Sequence, residues 1–163
     1  MGDEFRSILL GASGLAILAV IAVFFTVTRR KQTQQPGELA RLALVVVAGQ
    51  CVHFLEEFIT GFHLKFPALL GLAPWTTAFF VTFNVVWIAI WLLSAAGVYC
   101  HFRPAYFPIW FLALAATGNG VVHPLLALAV AGYFPGLLSS PALGLLGWRL
   151  FRKLRSATRS APE

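Results

Sequence analysis

Charged residues are scarce in this sequence, which contains only six acidic and twelve basic residues among 163. Hydrophobic residues make up 59% of the chain and charged residues 11%. A water-soluble helical bundle needs a polar outer face on each helix, and the long apolar segments here offer almost no polar positions. The composition therefore argues against a soluble domain and predicts a polytopic protein of the lipid bilayer.

Cysteine is also rare. Cys51 and Cys100 are expected in different helices at different depths, so neither a disulfide nor a cysteine metal site is predicted. The net charge of +6 does not indicate a nucleic-acid partner, because the basic residues lie at the ends of apolar segments, where they set membrane topology.

Five apolar segments predict an all-α bundle of five transmembrane helices, at about residues 7–28, 39–62, 76–99, 105–131 and 135–152. With the N-terminus outside and the C-terminus cytoplasmic, ten basic residues fall inside and only Arg6 and Lys65 fall outside. We expect one bundle over residues 1–155, a disordered tail at 156–163, and a plasma-membrane location, in the inner membrane of a bacterium.

The most informative polar residues are His53, Glu56 and Glu57, inside the second apolar segment. Ionisable side chains within a membrane are costly and usually functional. On a helix, residues three and four apart share a face, so the imidazole of His53 and at least one of the carboxylates point the same way.

Other segments carry polar residues at a similar predicted depth. At about 1.5 Å per residue, His53, Asn84 and Asn119 lie roughly 21–23 Å from the cytoplasmic ends of their helices, and Glu57 and His123 roughly 27 Å. Three helices therefore present polar groups in one layer, which predicts a single buried site in the outer half of the bundle.

The residue types suggest a divalent metal. Imidazole and carboxylate both bind zinc or iron, so His53, Glu57 and His123 are the predicted ligands. The remaining glutamate would serve as a general base or hold a ligand in place, while Asn84 and Asn119 would orient water or substrate. Glu56, Glu57, Asn84 and Asn119 are thus the candidate catalytic residues.

Two alternatives use the same residues. A buried glutamate beside a histidine suits metal-free proton chemistry, in an isomerase or in a proton-coupled or metal-ion transporter. The polar groups could instead only join helices in a structural subunit. His63, in the loop after the second segment, is expected to be solvated or interfacial rather than a ligand.

The motif His53-Phe-Leu-Glu56-Glu57 resembles the HXXEE domain family of integral membrane proteins. The later histidine and YxPG sequence of that family are similar to His123 and Tyr133-Phe-Pro135-Gly136. The resemblance implies that these residues form one feature, and it implies no particular activity. From the residues themselves we expect a membrane-embedded enzyme that acts on a lipophilic or lipid-linked substrate.

Overall fold

The computed structural model describes residues 2–29 and 32–158, and in these ranges the chain is helical with no strand. Seven α-helices follow in chain order: α1 (Gly2–Gly11), α2 (Ser13–Thr28), α3 (Pro36–Thr60), α4 (Phe62–Leu69), α5 (Thr77–Tyr99), α6 (Tyr106–Ala129) and α7 (Ser140–Ala157). A short 3₁₀ helix at Arg103–Ala105 leads into α6. The predicted all-α class is confirmed.

Three helices, α3, α5 and α6, are long and apolar enough to cross a membrane. The pair α1 and α2 satisfies the same criteria when it is counted as one bent span, which gives three to four candidate spans among the described residues. The second half of α7 carries four basic residues, Arg149, Arg152, Lys153 and Arg155, and α7 is not among these candidates.

The first predicted span, 7–28, is not one straight helix. It is broken between Gly11 and Ser13, and its two parts meet at 50°. The hydroxyl of Ser7 donates to the carbonyl of Ala73 and accepts from the indole N–H of Trp75. These bonds hold α1 against the loop before α5, whereas α2 packs along α6, so the chain must turn between them.

Two other parts of the chain, the loop after α3 and the predicted last span, also differ from expectation. The loop after α3 contains the eight-residue helix α4. Helix α7 begins at Ser140 rather than near 135, and it continues to Ala157, so residues 156 and 157 belong to this helix and not to a tail. Leu154 is fully buried and fixes this last turn. Residues 159–163 lie outside the described part of the chain.

Helices α6 and α7 pack closely because glycines meet at their contact. A β-carbon built on Gly120 would lie 2.7 Å from Cα of Gly144, and one built on Gly144 would lie 2.7 Å from Cα of Gly120. Small residues allow helix backbones in membranes to approach in this way. This approach sets the distance between α7 and the helix that carries His123.

Contacts at one end of the bundle join the start of α3, the end of α7 and the neighbouring ends of α2 and α6. The ammonium of Lys153 lies 2.6 Å from a carboxylate oxygen of Glu38, and the guanidinium of Arg29 donates to the carbonyl of Arg155. The backbone N–H of Thr33 donates to the hydroxyl of Tyr106 at this end. Between this end and the histidines lies an apolar core that includes Val46, Trp110, Leu112, Leu143 and Leu150.

We predict that Gly144→Ala destabilises the bundle by about 1–3 kcal/mol, because the added methyl group would overlap the backbone of Gly120. Thermal unfolding of the detergent-purified protein measures the effect. Gly14→Ala is the matched control, since a β-carbon at Gly14 has no heavy atom within 4 Å. Equal unfolding midpoints for the two variants would contradict the close packing.

Candidate metal centre

His53, Glu57 and His123 form a buried cluster where α3 meets α6. His53 and Glu57 lie one turn apart on α3, and His123 comes from α6. Nε2 of His53 lies 3.5 Å and Nε2 of His123 lies 3.4 Å from Oε1 of Glu57. The three ligand atoms are all within 4.8 Å of one another, and the residues are 0%, 2% and 7% exposed for His53, His123 and Glu57.

The imidazole of His123 has a defined protonation pattern. Its Nδ1 lies 2.6 Å from the carbonyl oxygen of Pro135, which can only accept a hydrogen bond. Nδ1 must therefore carry the proton and donate it. In the neutral ring, Nε2 of His123 is left with a lone pair directed toward Glu57.

The same argument applies to His53 through Ser139. The hydroxyl of Ser139 donates to Oε2 of Glu56, a carboxylate oxygen that can only accept, and this bond uses its single proton. Nδ1 of His53, 2.8 Å from that hydroxyl oxygen, must therefore be the donor of their shared hydrogen bond. Nε2 of His53 then also carries a lone pair, and it has no hydrogen-bond partner.

The centre of the cluster thus contains two imidazole lone pairs and the carboxyl group of Glu57, and neither imidazole provides a donor there. Buried acceptors that face one another are unfavourable unless a positive charge or a proton lies between them. Metal-binding histidines typically donate their other ring N–H to a carbonyl or similar acceptor, as both of these do. The buried group formed by His53, Glu57 and His123 could therefore hold a metal ion.

Glu56, next to Glu57 in sequence, faces a different set of atoms. One oxygen accepts from the hydroxyl of Tyr133 (2.7 Å) and the N–H of Leu138 (2.9 Å), and the other accepts from the N–H (2.8 Å) and hydroxyl of Ser139. The carboxylate thus lies at the N-terminus of α7, where backbone N–H groups lack partners and the helix dipole favours an anion.

Residues 133–139 lie in the loop that connects α6 to α7, and we call them the 133–139 turn. This turn supplies most of the groups around the cluster. It contains the carbonyl of Pro135, the hydroxyl of Ser139 and the donors to Glu56. Burial and the neighbouring Glu56 carboxylate raise the pKa of Tyr133 above its usual value, which keeps its phenol protonated as a donor. One short loop therefore positions both imidazole rings.

Gly136 allows this turn to approach the two rings. Its φ of +86° lies in the left-handed region that favours glycine. A β-carbon at this position would lie 2.5 Å from Cε1 and Nδ1 of His123 and 2.8 Å from Cε1 of His53. Any other residue would therefore be strained and would also overlap the histidines.

Aromatic side chains cover the His123 side of the cluster. The ring of Phe62, from α4, lies 5.5 Å from the imidazole of His123 between ring centroids, and it contacts Phe134 at 6.0 Å. Phe62 also stacks on Phe80 at 6.1 Å. His123 therefore faces an apolar ring of α4, which packs in turn on Phe134 and on Phe80 of α5.

The predicted asparagines do not bond to the cluster. The amide of Asn84 donates to the carbonyl of Phe80, one turn earlier on its own helix. Asn119 is half-buried and forms no hydrogen bond with the three residues within the described part of the chain. His63, expected to be solvated, is instead buried between Phe58 and Phe80, with Nε2 3.3 Å from the hydroxyl of Thr77.

Sequence reasoning missed the role of Ser139. Nothing in the spacing of the sequence marks one serine among several, since its contacts arise from the pairing of α3 with α7. The available signal was the position of Ser139 just before an apolar segment, because serine is a preferred residue at helix N-termini.

Comparison with protein-family models, curated proteins and solved structures finds no match to this chain. The resemblance to the HXXEE family therefore stays a prediction from the motifs.

We predict that Glu56→Gln loosens the 133–139 turn, because the amide NH₂ would face groups that themselves donate. The loss should be about 1–3 kcal/mol of stability, with faster hydrogen exchange at the amides of Leu138 and Ser139. Hydrogen exchange followed by mass spectrometry measures both amides together with the rest of the chain.

The matched control is Glu38→Gln, which removes a carboxylate from the exposed pair with Lys153 at the other end of the bundle. Exchange in the 133–139 turn should not change in this variant. Unaltered exchange in Glu56→Gln would show that the four hydrogen bonds to Glu56 do not hold the turn.

Proposed function

We propose that this protein is an integral-membrane metalloenzyme in which His53, Glu57 and His123 bind one divalent ion, most suitably zinc, for hydrolysis of a lipophilic or lipid-linked substrate. The observation that carries the proposal is the convergence of two unprotonated Nε2 atoms on the Glu57 carboxylate. Three ligand atoms with no donor among them are suited to a cation.

A proton on Glu57 is the metal-free alternative, and the distances disfavour it. One carboxyl proton can be donated to only one of the two Nε2 atoms. The separations of 3.5 and 3.4 Å are also longer than ordinary hydrogen bonds from a hydroxyl. Two ligand atoms that share an ion are held apart at such a distance, because the ion lies between them.

The two separations fit ligand atoms that share one ion. Atoms bound tetrahedrally at zinc bond lengths of 2.0–2.1 Å lie about 3.3 Å from each other, and the two Nε2 atoms lie 3.5 and 3.4 Å from Oε1 of Glu57. The choice of zinc rests on the ligand set.

Two histidines and one glutamate are a ligand set of catalytic zinc sites, in which the fourth position is kept for water or substrate. Zinc in such a site supplies a water with a pKa near 7 and polarises a carbonyl or phosphoryl oxygen. This chemistry is typical of hydrolysis. We therefore favour hydrolysis over oxidation.

The residues around the cluster have different roles in this proposal. Pro135 and Ser139 hold the imidazoles with Nε2 toward Glu57. The sequence left two roles open for Glu56, general base or a residue that holds a ligand in place. We assign the second role, because both its oxygens already accept hydrogen bonds from the 133–139 turn. Asn84 and Asn119 have no assigned role in this scheme.

Five membrane spans and a cytoplasmic C-terminus are part of the proposal. His53 lies fifteen helical steps after Glu38, and Lys153 lies fourteen steps after Ser139, so the cluster lies about 21–23 Å from the Glu38–Lys153 pair. Helix α7 would be the fifth span, with its basic end reaching the membrane surface. The site then lies in the outer half of a bilayer.

The surroundings of the cluster support an enzyme over a transporter. A transporter needs polar access from both sides of the membrane, whereas an apolar core that includes Val46, Leu112 and Leu143 fills the bundle between the cluster and the basic end. A one-sided site bordered by Phe62 and Phe134 suits a lipophilic substrate. Membership in the HXXEE family would fit this site, since its three motifs supply the ligands and the turn around them.

We predict about one zinc ion per chain in the protein purified without chelator. His53→Ala, His123→Ala and Glu57→Gln should each lose most of it, because each removes one of only three protein ligands. Elemental analysis measures the content. Zinc retention should also fall in acid, since ligands must be deprotonated to bind a metal.

His63→Ala is the matched control, because His63 is a buried histidine outside the cluster. It should keep its zinc. Absence of metal from wild type would favour metal-free proton chemistry. The visible spectrum of the cobalt-substituted protein would separately test the tetrahedral geometry.

We predict that expression of the wild type in a bacterial host changes the composition of the membrane lipid extract, and that Glu57→Gln abolishes the change because it removes the carboxylate ligand. Mass spectrometry of the extracts measures this. His63→Ala should behave as wild type. The same change in cells that produce Glu57→Gln would exclude the cluster as the catalytic site.

A further inference from the structure

A second site lies at the opposite end of the bundle from the histidines. An open groove of about 550 Å³ is bordered by α7 and by Leu42 of α3. Leu42, Phe151 and Trp148 provide apolar surface, and the rings of Trp148 and Phe151 stack with centroids 5.6 Å apart. Four basic residues also line the groove, Arg149, Arg152, Lys153 and Arg155.

The positive charge of this groove is only partly neutralised. Lys153 is bonded to Glu38 and to the side chain of Gln35. Arg149, Arg152 and Arg155 are exposed and form no salt bridge within residues 2–29 and 32–158. Glu56 and Glu57, the other described acids of α3, are engaged at the far end, so three guanidinium groups remain for an external anion.

A smaller polar cavity of about 340 Å³ adjoins the groove, because both are lined by Lys153 and Ser156. Its other walls are polar side chains of the segment before α3, including Gln32, Thr33, Gln34 and Gln35. The groove therefore offers apolar and cationic surface, and the adjoining cavity offers amides and hydroxyls. These three kinds of surface match an acyl chain, a phosphate and a hydroxylated headgroup.

We propose that this groove binds an anionic phospholipid with a hydroxylated headgroup, of the phosphatidylglycerol type. The acyl chain lies against Leu42, Trp148 and Phe151, and the phosphate is bound by Arg149, Arg152 and Arg155. Guanidinium groups bind phosphate with paired hydrogen bonds. The headgroup hydroxyls reach the glutamines of the neighbouring cavity. This site is independent of the metal centre.

The test is competition for the detergent-purified protein between phosphatidylglycerol and phosphatidylcholine with identical acyl chains, with retained lipid measured by native mass spectrometry. Wild type should retain the anionic lipid preferentially. Arg149→Gln combined with Arg152→Gln should reduce this preference at least tenfold, because each arginine near an anionic lipid contributes roughly fivefold in affinity. Both arginines are exposed, so the variant should fold.

The matched control is Arg41→Gln combined with Arg103→Gln, which removes two exposed arginines that do not line the groove. It should retain the wild-type preference. An equal loss in this control would assign the preference to general surface charge and overturn the proposal. Lack of preference in wild type would also overturn it.

Glycerol 3-phosphate separates a lipid from a free phosphate. It lacks acyl chains, so it should not displace the retained phosphatidylglycerol at equal concentration. Equally effective displacement would identify a free phosphate site and contradict a lipid site. Brominated phosphatidylglycerol should quench the tryptophan fluorescence of the wild type more than that of Trp148→Phe, because Trp148 lines the groove. Equal quenching of the two proteins would place the lipid elsewhere.

Discussion

Two imidazole lone pairs and a carboxylate face one another in an apolar interior, and the surrounding structure serves to hold them there. Acceptors in such a place lose their bonds to water and repel one another, so the arrangement persists only if other groups fix it. The 133–139 turn does this. The carbonyl of Pro135 and the hydroxyl of Ser139 accept hydrogen bonds from Nδ1 of His123 and His53. Nε2 of both rings then faces Glu57.

The adjacent glutamates illustrate how one helical step separates two roles. Successive residues point about 100° apart around a helix. Glu57 is therefore directed into the bundle, where it meets two histidines, and Glu56 is directed toward the start of α7, where it meets four donors. A single glutamate could not fill both positions. The pair links the two histidines to the loop that orients them.

The two ends of the bundle differ in chemistry because the same helices run between them. Helices α3 and α7 bring His53 and Ser139 together at one end and Glu38 and Lys153 together at the other. The close approach of Gly120 and Gly144 holds α6 against α7 between these ends. A buried His/Glu cluster and a basic groove thus occur in one small protein without sharing a side chain.

Sequence alone predicted the helical class and helices long and apolar enough to cross a membrane, because long apolar segments have few other stable forms. It also identified His53, Glu57 and His123, since ionisable residues stand out in such segments and helix rise places them at similar depth. The break between α1 and α2, by contrast, depends on Ser7 bonding to residues 73–75, some sixty-six residues away.

The sequence did not show which of the two glutamates meets the histidines, and the tertiary structure decided this. The pairing of α3 with α7 brings Glu56 to the 133–139 turn, and the pairing of α3 with α6 brings Glu57 to His123. The amide of Asn84 donates instead to the backbone of its own helix, α5. Helical spacing shows only which residues share a face. Which partner a face meets depends on packing between helices distant in sequence, and here that packing directs both Nε2 atoms toward Glu57.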